Sequence, residues 1–586
     1  MLNVTVGDVI EGKVADFASE GEGIVKIGSY TVFVPFAIKG ETVRARIRFA
    51  KKDYAFAEFV EVTLPSPDRV KPRCTYFGRC GGCDLQHVTT ECQLAIKKAS
   101  VENALKKIGG LDVKADDVVH LNDWEYRNKI ALPFAYKSKS GRVSLGFYEK
   151  KSHTVVPMKW CPLHGEWAAT LIQDVSDWAN GEKISVYEET TGKGLLRHVV
   201  ARKLDTLTVT LVVNGSRVPK LEVLARKLEQ DFGSVAIFIS ENTKNTNVIF
   251  GDNAKLVWGR EQKQNLGAYE AVVSPLSFLQ VNDEVRDAIY DKVCSFLADF
   301  DGDIIELYSG VGLLTAQIAK RLENAKITAV EIVPDATKNA NALMQSLHIA
   351  DRVTNVCADA VDFVSDIAKK DEQPEQSNGA DLPDEILNSP FYLGEAPVKA
   401  KAKTQKPLAL VLDPPRKGCD KRVLDAVNGA EFERIAYISC NPQTLARDLK
   451  VLGDKYAIAS VTPFDMFPQT SNVETLVQLS HKIPDSHIVV KVDFDKDNSI
   501  QTDTLLKNAQ AYKPAERVTY KMIQAYVEEK YGFKVHTAYI AEVKRSYGLP
   551  MYDAPNAVEE LKRPRQHPSE KMVEAIKDAL KHFGII

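Results

Sequence analysis

No run of eighteen or more apolar residues occurs in this chain, and no basic start leads into a short apolar segment. Neither a membrane-spanning helix nor a secretory leader is therefore expected, and the protein is expected in the cytoplasm. Cysteine is scarce: there are nine, an odd number, with three of them inside the ten residues 74–83. That layout excludes a disulfide-stapled secreted scaffold and leaves metal ligation or thiolate chemistry. Charge of one sign is lacking too. Seventy-six Lys and Arg face 79 Asp and Glu for a net charge of −3, which excludes a uniformly basic nucleic-acid coat and confines any such contact to local patches. What is present is an ordinary globular composition, 44% hydrophobic and 26% charged, over 586 residues. That length exceeds what one core supports, so about three to four domains are expected.

Residues 4 to about 63 read as short β segments (Ile24–Ile27, Tyr30–Pro35, Thr42–Phe49, Ala55–Val62) punctuated by glycines, and a small barrel is the economical solution. Arg44, Arg46 and Arg48 recur with period two, so their guanidinium groups share one strand face; a nucleic-acid patch and a merely solvated face both fit. A proline-bearing linker, 65–72, precedes the cysteine cluster. Residues 85–270 mix a helix (Cys92–Ile108) with β-like runs at Lys129–Tyr136, Thr154–Met158 and Leu207–Val213. From about 283, strand and helix alternate as in a parallel doubly wound sheet. Residues 366–407, polar and aperiodic, read as a flexible surface insertion. After 484, Thr519 and Thr537 are placed to cap two helices closed by Gly532 and by Gly548–Pro550. Such a helix-turn-helix-like pair serves equally as a nucleic-acid reader or a packing appendage.

Ile304–Leu307 is an apolar strand running through Tyr308-Ser309 into Gly310-Val311-Gly312 and a helix, a turn that lets a ligand approach the backbone. Ile327–Glu331 is a second such strand, ending in an acid suited to ribose hydroxyls, and Asp359 follows a third (Val353–Cys357) where it can contact an adenine. A dinucleotide fingerprint wants a third small residue at 315, which is Thr. The single Gly-x-Gly therefore favours a methyl donor.

Leu408–Leu412 ends in Asp413-Pro414-Pro415-Arg416-Lys417, and Ile435–Ile438 ends in Ser439-Cys440-Asn441-Pro442. Carboxyl ends of parallel strands face one crevice, so both motifs are expected beside Gly310 and Gly312. Cys294 and Cys357 read as buried and inert; Cys440, at a strand end among polar residues, reads as reactive.

Asp413-Pro-Pro-Arg, Ser439-Cys440-Asn441-Pro442-x-Thr444 and Phe467-Pro468-Gln469-Thr470-x-x-Val473-Glu474 resemble the signature of the RNA 5-methyluridine (uracil-5) methyltransferases, particularly the bacterial 23S ribosomal RNA branch. The resemblance spans residue 4 to about 482. It implies S-adenosyl-L-methionine as methyl donor and RNA as partner, with the chain acting as a monomer off the membrane. It further implies Cys440 as the nucleophile on uracil carbon 6 and Glu474 as the base that removes the carbon 5 proton; thiolate chemistry then asks that positive groups or backbone donors near Cys440 lower its pKa. Gln280, Tyr308, Glu331 and Asp413 match donor-binding positions. Arg416, Lys417 and Arg127 can hold phosphates, although a surface ion pair fits Arg127 as well. The chain departs from the family at Glu306 (usually Asp), Ser309 (usually Cys) and Asn472 (commonly His).

Cys74, Cys80 and Cys83 crowd one loop, and their spacing alone leaves zinc and iron–sulfur equally open. By resemblance Cys161 is the fourth ligand and a [4Fe-4S] cluster the occupant, while Cys92 is a spectator. The implied fold is multidomain α/β: a TRAM-like β-barrel of the OB type (1–64), a mixed α+β central domain (65–275), a Rossmann-like methyltransferase domain (276–483) and a helical C-terminal extension (484–586). The competing readings are a transfer RNA target, a non-catalytic nucleic-acid-binding regulator, and an amino-group methyltransferase. The last expects an aromatic residue at position 416, which is Arg.

Overall fold

Small apolar residues alternating with charged ones close the N-terminal strands into a barrel. In the computed structural model, which describes residues 4–137, 140–267, 269–371, 407–482, 520–547 and 568–583, β1 (Val9–Phe17), β2 (Gly23–Ile27), β3 (Tyr30–Val34), β4 (Thr42–Ala50) and β5 (Tyr54–Leu64) join in the order β1-β2-β3-β5-β4. Val14, Val25, Val32, Val43, Ile47 and Ala55 fill the interior. The sequence reading missed β1, whose charged residues and Gly12 weaken its strand signal. Gly12 is there for a packing reason, since a Cβ would stand 2.5 Å from the Val25 side chain. Arg44, Arg46 and Arg48 do share the exposed face of β4. However, Arg44 pairs with Glu61 at 2.7 Å and Arg48 with Glu58, so much of that row is neutralised.

Helix α1 (Thr90–Ala104) follows the cysteine loop, capped by Thr89. Next comes a seven-stranded sheet built from β6 (Lys129–Tyr136), β7 (Val143–Tyr148), β8 (Val155–Pro157), β9 (Leu196–Lys203), β10 (Leu207–Val213), β11 (Val235–Glu241) and β12 (Lys255–Trp258), in the order β12-β11-β10-β9-β6-β7-β8. Helices α2 (Glu166–Gly181) and α3 (Leu221–Phe232) pack on it through Leu171, Val175, Leu224 and Leu228. A short hairpin, β13 (Lys263–Asn265) and β14 (Glu270–Val272), leads on.

The second seven-stranded sheet has the order β17-β16-β15-β18-β19-β21-β20. Its parallel members are β15 (Asp303–Leu307), β16 (Ile327–Glu331), β17 (Val353–Cys357), β18 (Leu408–Leu412) and β19 (Phe432–Ser439); β20 (Tyr456–Phe464) and β21 (Glu474–His481) complete it, β21 running antiparallel to both neighbours. Helices α4 (Asp283–Phe296), α5 (Leu313–Arg321), α6 (Pro334–Ser346), α7 (Ala360–Asp371), α8 (Lys421–Gly429) and α9 (Pro442–Leu452) alternate with the strands. Its all-apolar strands Leu408–Leu412 and Ile435–Ile438 are those of a parallel sheet covered on both faces. Val101 and Ala104 of α1 share a core with Leu445 and Leu449 of α9, and Val119 bridges Phe464, so the segment after the cysteine loop packs on this layer.

Contacts divide the chain into Met1–Pro484 and Asp485–Ile586. In the second unit α10 (Tyr520–Tyr531), α11 (Thr537–Ser546) and α12 (Glu570–His582) enclose Ile523, Val527, Ile540, Val543, Ile576 and Leu580. The expected two-helix unit is thus completed by a third helix, which covers an apolar face that two short helices leave open. Thr519, Gly548, Pro550 and residues 372–406 of the insertion lie outside the described residues. Among the described residues no helix is long and apolar enough to cross a membrane.

Candidate active site

Register brings the chemistry to one rim. Leu307 of β15 stands opposite Leu412 of β18, and Leu412 opposite Tyr437 of β19, so Tyr308, Asp413 and Cys440 all emerge at the carboxyl edge of the sheet. Because β21 runs the other way, its first residues lie beside the end of β19: Ser439 pairs with Thr475, which sets Glu474 next to Cys440. Asn441 caps α9 and its side-chain amide donates to the Arg416 carbonyl at 3.3 Å, as does the Thr444 hydroxyl at 3.3 Å. The Asp413–Lys417 and Ser439–Thr444 loops are therefore one hydrogen-bonded surface.

Cys440 is half-buried rather than sealed in the core. Its thiol is pushed up to about 11, by burial first and then by the charges of Glu474 and Asp413, with Arg416 opposing. This corrects the expectation of a lowered pKa: one exposed guanidinium is outweighed by burial and two carboxylates. Glu474 is 2% exposed, and burial holds its carboxyl well above the usual range, helped by Asp413 and opposed by Arg416. Burial likewise pushes Asp413 up to about 7.

Tyr308, Glu331 and Asp359, three of the residues expected to bind the donor, lie at or just after the carboxyl ends of β15, β16 and β17, on the same edge of the sheet. Gly310 adopts φ +57° with open space where a Cβ would be, whereas a Cβ on Gly312 would meet Met344 at 2.9 Å on α6. Gly310 therefore serves the ligand side and Gly312 the helix packing. The Gly310 amide donates to Glu331 at 2.9 Å, and the Val333 amide to its other oxygen at 2.8 Å. Tyr308 is held at φ +65°, with its phenol raised by burial, Cys419 and the charge of Asp359. Asp359 caps α7 by accepting from the Val361 amide at 2.7 Å. Gln280 arrives on a separate loop, which Asn128 holds through the carbonyl of Gln280 at 3.1 Å. Glu306 is buried, accepts the Thr315 hydroxyl at 2.6 Å and is pushed up to about 8 by burial. The Thr that breaks the dinucleotide pattern is thus the partner of the departure at 306. Ser309 stays packed in the turn, its amide bonded to Val330 at 3.1 Å. Asn472 folds back onto Thr470 at 3.3 Å.

The turn before Glu474 is gripped by residues that no local pattern marks. Gln469 sits at φ +69°, a strained position for a non-glycine. It exchanges bonds of 3.1 Å each way with Gln93, and its carbonyl accepts the amides of Asp84 and Leu85 at 3.1 and 3.0 Å. Tyr126 donates to Pro468 at 3.0 Å, and Lys97, fully buried and paired with Asp465, donates to Phe467 at 3.0 Å. Since Asp84 follows Cys83, the cysteine loop is tied to the turn that precedes Glu474.

Burial raises the thiols of Cys74, Cys80, Cys83 (to about 12) and Cys161 (to about 11), and mutual charge effects link all four. Among the described residues no group of three or more His, Cys, Asp or Glu is arranged to hold a single metal ion. Arg127 is no surface ion pair: it lies between this cluster and the catalytic turn, 5.8 Å over the Phe467 ring. Cys294 is buried as expected, and Cys92 is half-buried on α1. Cys357, read as buried, is exposed, because it ends the edge strand β17.

A doubly wound sheet with an open glycine turn, an acid on the next strand and a half-buried thiol at its rim is the arrangement of a methyltransferase that uses S-adenosylmethionine. Comparison with known proteins narrows the class. The sequence model of the tRNA (Uracil-5-)-methyltransferase family matches residues 403–482, and that of the TRAM domain matches residues 3–60. An uncharacterized RNA methyltransferase of Clostridium tetani is 34% identical over 477 residues, 80% of this chain and 95% of the relative. One from Listeria monocytogenes is 33% identical over 482 residues, 80% and 97% respectively. The crystal structure of the Pyrococcus abyssi tRNA (uracil-54, C5)-methyltransferase in complex with S-adenosyl-L-homocysteine is similar with a TM-score of 0.60 at 25% identity, covering 80% of this chain and 99% of that one. The chain belongs to the RNA (uracil-5-)-methyltransferase family and is an S-adenosylmethionine-dependent RNA methyltransferase.

Proposed function

We propose that the protein methylates carbon 5 of a uridine in 23S ribosomal RNA through a transient thioether between Cys440 and carbon 6 of the uracil. The observation that carries this reading is the pairing of Ser439 with Thr475, which puts a half-exposed thiol and a buried carboxyl side by side. Carbon 5 is a poor nucleophile until Cys440, its proton lost to solvent, adds as the thiolate to carbon 6. The resulting enolate places electron density on carbon 5, which takes the donor's methyl group as the methyl–sulfonium bond breaks. The bound donor supplies an electrophilic methyl group; Gln280, Tyr308, Glu331, Asp359 and Asp413 would hold it. Glu474, a stronger base than an ordinary carboxylate once ionised, takes the carbon 5 proton, and the electrons of that C–H bond expel Cys440 and restore the ring. The uracil must leave its stack to reach this rim, and Arg416 and Lys417 are exposed where they can meet its phosphates.

Cys74, Cys80, Cys83 and Cys161 would hold a [4Fe-4S] cluster that positions the turn rather than moving electrons. Four thiols, one buried and three half-buried, that penalise one another's ionisation suit a shared cationic group, and a cluster spaces its thiolates more widely than one zinc ion does. The barrel (1–64) would bind RNA, the central domain (65–275) would carry the cysteine cluster, and 276–483 would be the catalytic domain, with 484–586 accessory. A transfer RNA target is the second reading, favoured by the name and substrate of the Pyrococcus enzyme. Incubating the protein with donor and RNA fragments containing 5-fluorouridine tests both readings. An adduct lost in Cys440→Ala supports the covalent route, no adduct refutes it, and mapping the trapped nucleotide separates ribosomal from transfer RNA.

A further inference from the structure

The outer face of the barrel carries an aromatic patch that neither the fold nor the chemistry above requires. Phe33 on β3 stands opposite Phe56 on β5, Phe56 stands opposite Phe49 on β4, and Tyr54 precedes Phe56 by two on the same strand face. Phe33 and Phe56 stack at 5.1 Å, and Tyr54 meets them edge-on at 6.2 and 5.8 Å. Phe49, Tyr54 and Phe56 are 46%, 38% and 41% exposed, although the intervening Ala55 and Ala57 are core. Rings left in water forgo the energy that burial would supply, and a contiguous patch of them marks a binding surface. Lys51 adds positive charge, its ammonium 5.3 Å over the Phe49 ring.

Phe33 also lines a groove of about 330 Å³ between the barrel and α1, shared with Phe17, Ile24, Asn103, Lys107 and Gln443. Gln443 lies on the first turn of α9, three residues after Cys440. One surface therefore joins the exposed rings to the reacting loop. The arginine row is the weaker candidate, because Glu58 and Glu61 engage two of its three members.

We propose that Phe33, Tyr54, Phe56 and Phe49 form a stacking platform for unpaired nucleotides of the substrate RNA beside the target uridine, the strand passing along the groove by Lys107 to Gln443. Every base presents a π-face, so such a platform selects single-stranded over paired RNA without reading sequence. The proposal rests on the reading of Cys440 only for where the target base lies.

The test uses full-length Cys440→Ala protein, in which no covalent bond contributes, and fluorescence anisotropy with two fluorescein-labelled RNA hairpins. Both present the same loop uridine; its flanking nucleotides are unpaired in one and base-paired in the other. Adding Tyr54→Ala and Phe56→Ala is expected to weaken the unpaired-flank hairpin about 10- to 100-fold. The paired-flank hairpin keeps its affinity, and the salt dependence keeps its slope because no phosphate contact is removed. Phe56→Trp alone keeps wild-type binding, which separates stacking from misfolding. Unchanged binding of the unpaired-flank hairpin overturns the proposal, as does an equal loss on both hairpins or a shallower salt slope. With Cys440 intact, adduct formation on 5-fluorouridine RNA reports the covalent reading separately from the platform.

Discussion

Cys440 should be slow to alkylate, and the structure says by how much. Burial, Glu474 and Asp413 lift its thiol from the ordinary 9.0 to about 11. At pH 8 or below that leaves about 100-fold less thiolate than an unperturbed cysteine, roughly one molecule in 3,000 at pH 7.5. Because the thiolate is the reacting form, iodoacetamide should modify Cys440 about 100-fold more slowly than an exposed reference thiol, with a rate still rising at pH 10. Asp413→Asn removes a raising charge and should speed the reaction several-fold; Arg416→Gln removes the lowering one and should slow it. Quenched-flow alkylation across pH 6–11, read by peptide mass spectrometry, measures all three. A Cys440 half-point at or below pH 8 in the free enzyme would refute the electrostatic account, because it would require a positive group stronger than Arg416 at this rim.

Glu474→Gln should allow thioether formation but lower turnover by 10²- to 10⁴-fold, with the adduct accumulating on unmodified uridine RNA; denaturing gels check this, and a variant that turns over normally shows the base to be elsewhere. Glu306, at about 8 against its usual 4.5, binds its proton more tightly folded than unfolded. Its contribution to stability is full below pH 4.5 and is lost as pH rises to 8, by at most roughly 5 kcal/mol, so Glu306→Gln should flatten the fall of melting temperature across pH 5–8. Lys97→Met leaves buried Asp465 with His120 as its remaining charged partner and should cost up to about 3–5 kcal/mol by denaturant unfolding. Cys80→Ser should lower the bound iron and sulfide of anaerobically purified protein, and unchanged metal content argues against Cys80 as a ligand.

Much of the catalytic sheet is legible from the chain. The runs 327–331 and 408–412 coincide with β16 and β18, because strands inside the sheet and covered on both faces tolerate little but apolar residues, and 353–357 coincides with the edge strand β17. The general tendency of cysteines to be buried fails at Cys357, which ends an edge strand with no neighbour on one side among the described residues. The state of Cys440 was hidden because its strongest charged neighbour comes from β21, and only pairing across the sheet brings Glu474 there. The clasp on the catalytic turn was out of reach altogether, since Gln93 and Gln469 are 376 residues apart and neither sits in a periodic pattern that marks it. Arg127 likewise reads as a surface charge until the thiols and Phe467 are placed around it.

The antiparallel return of β21 means that the gap between thiol and carboxyl is dictated by the inter-strand ladder, whatever the length of chain that joins them. The connection between α9 and β20 can therefore gain or lose residues in evolution without moving Cys440 relative to Glu474. A single-residue slip of β21 against β19 would instead rotate Glu474 to the opposite face and silence the enzyme while leaving its outline intact.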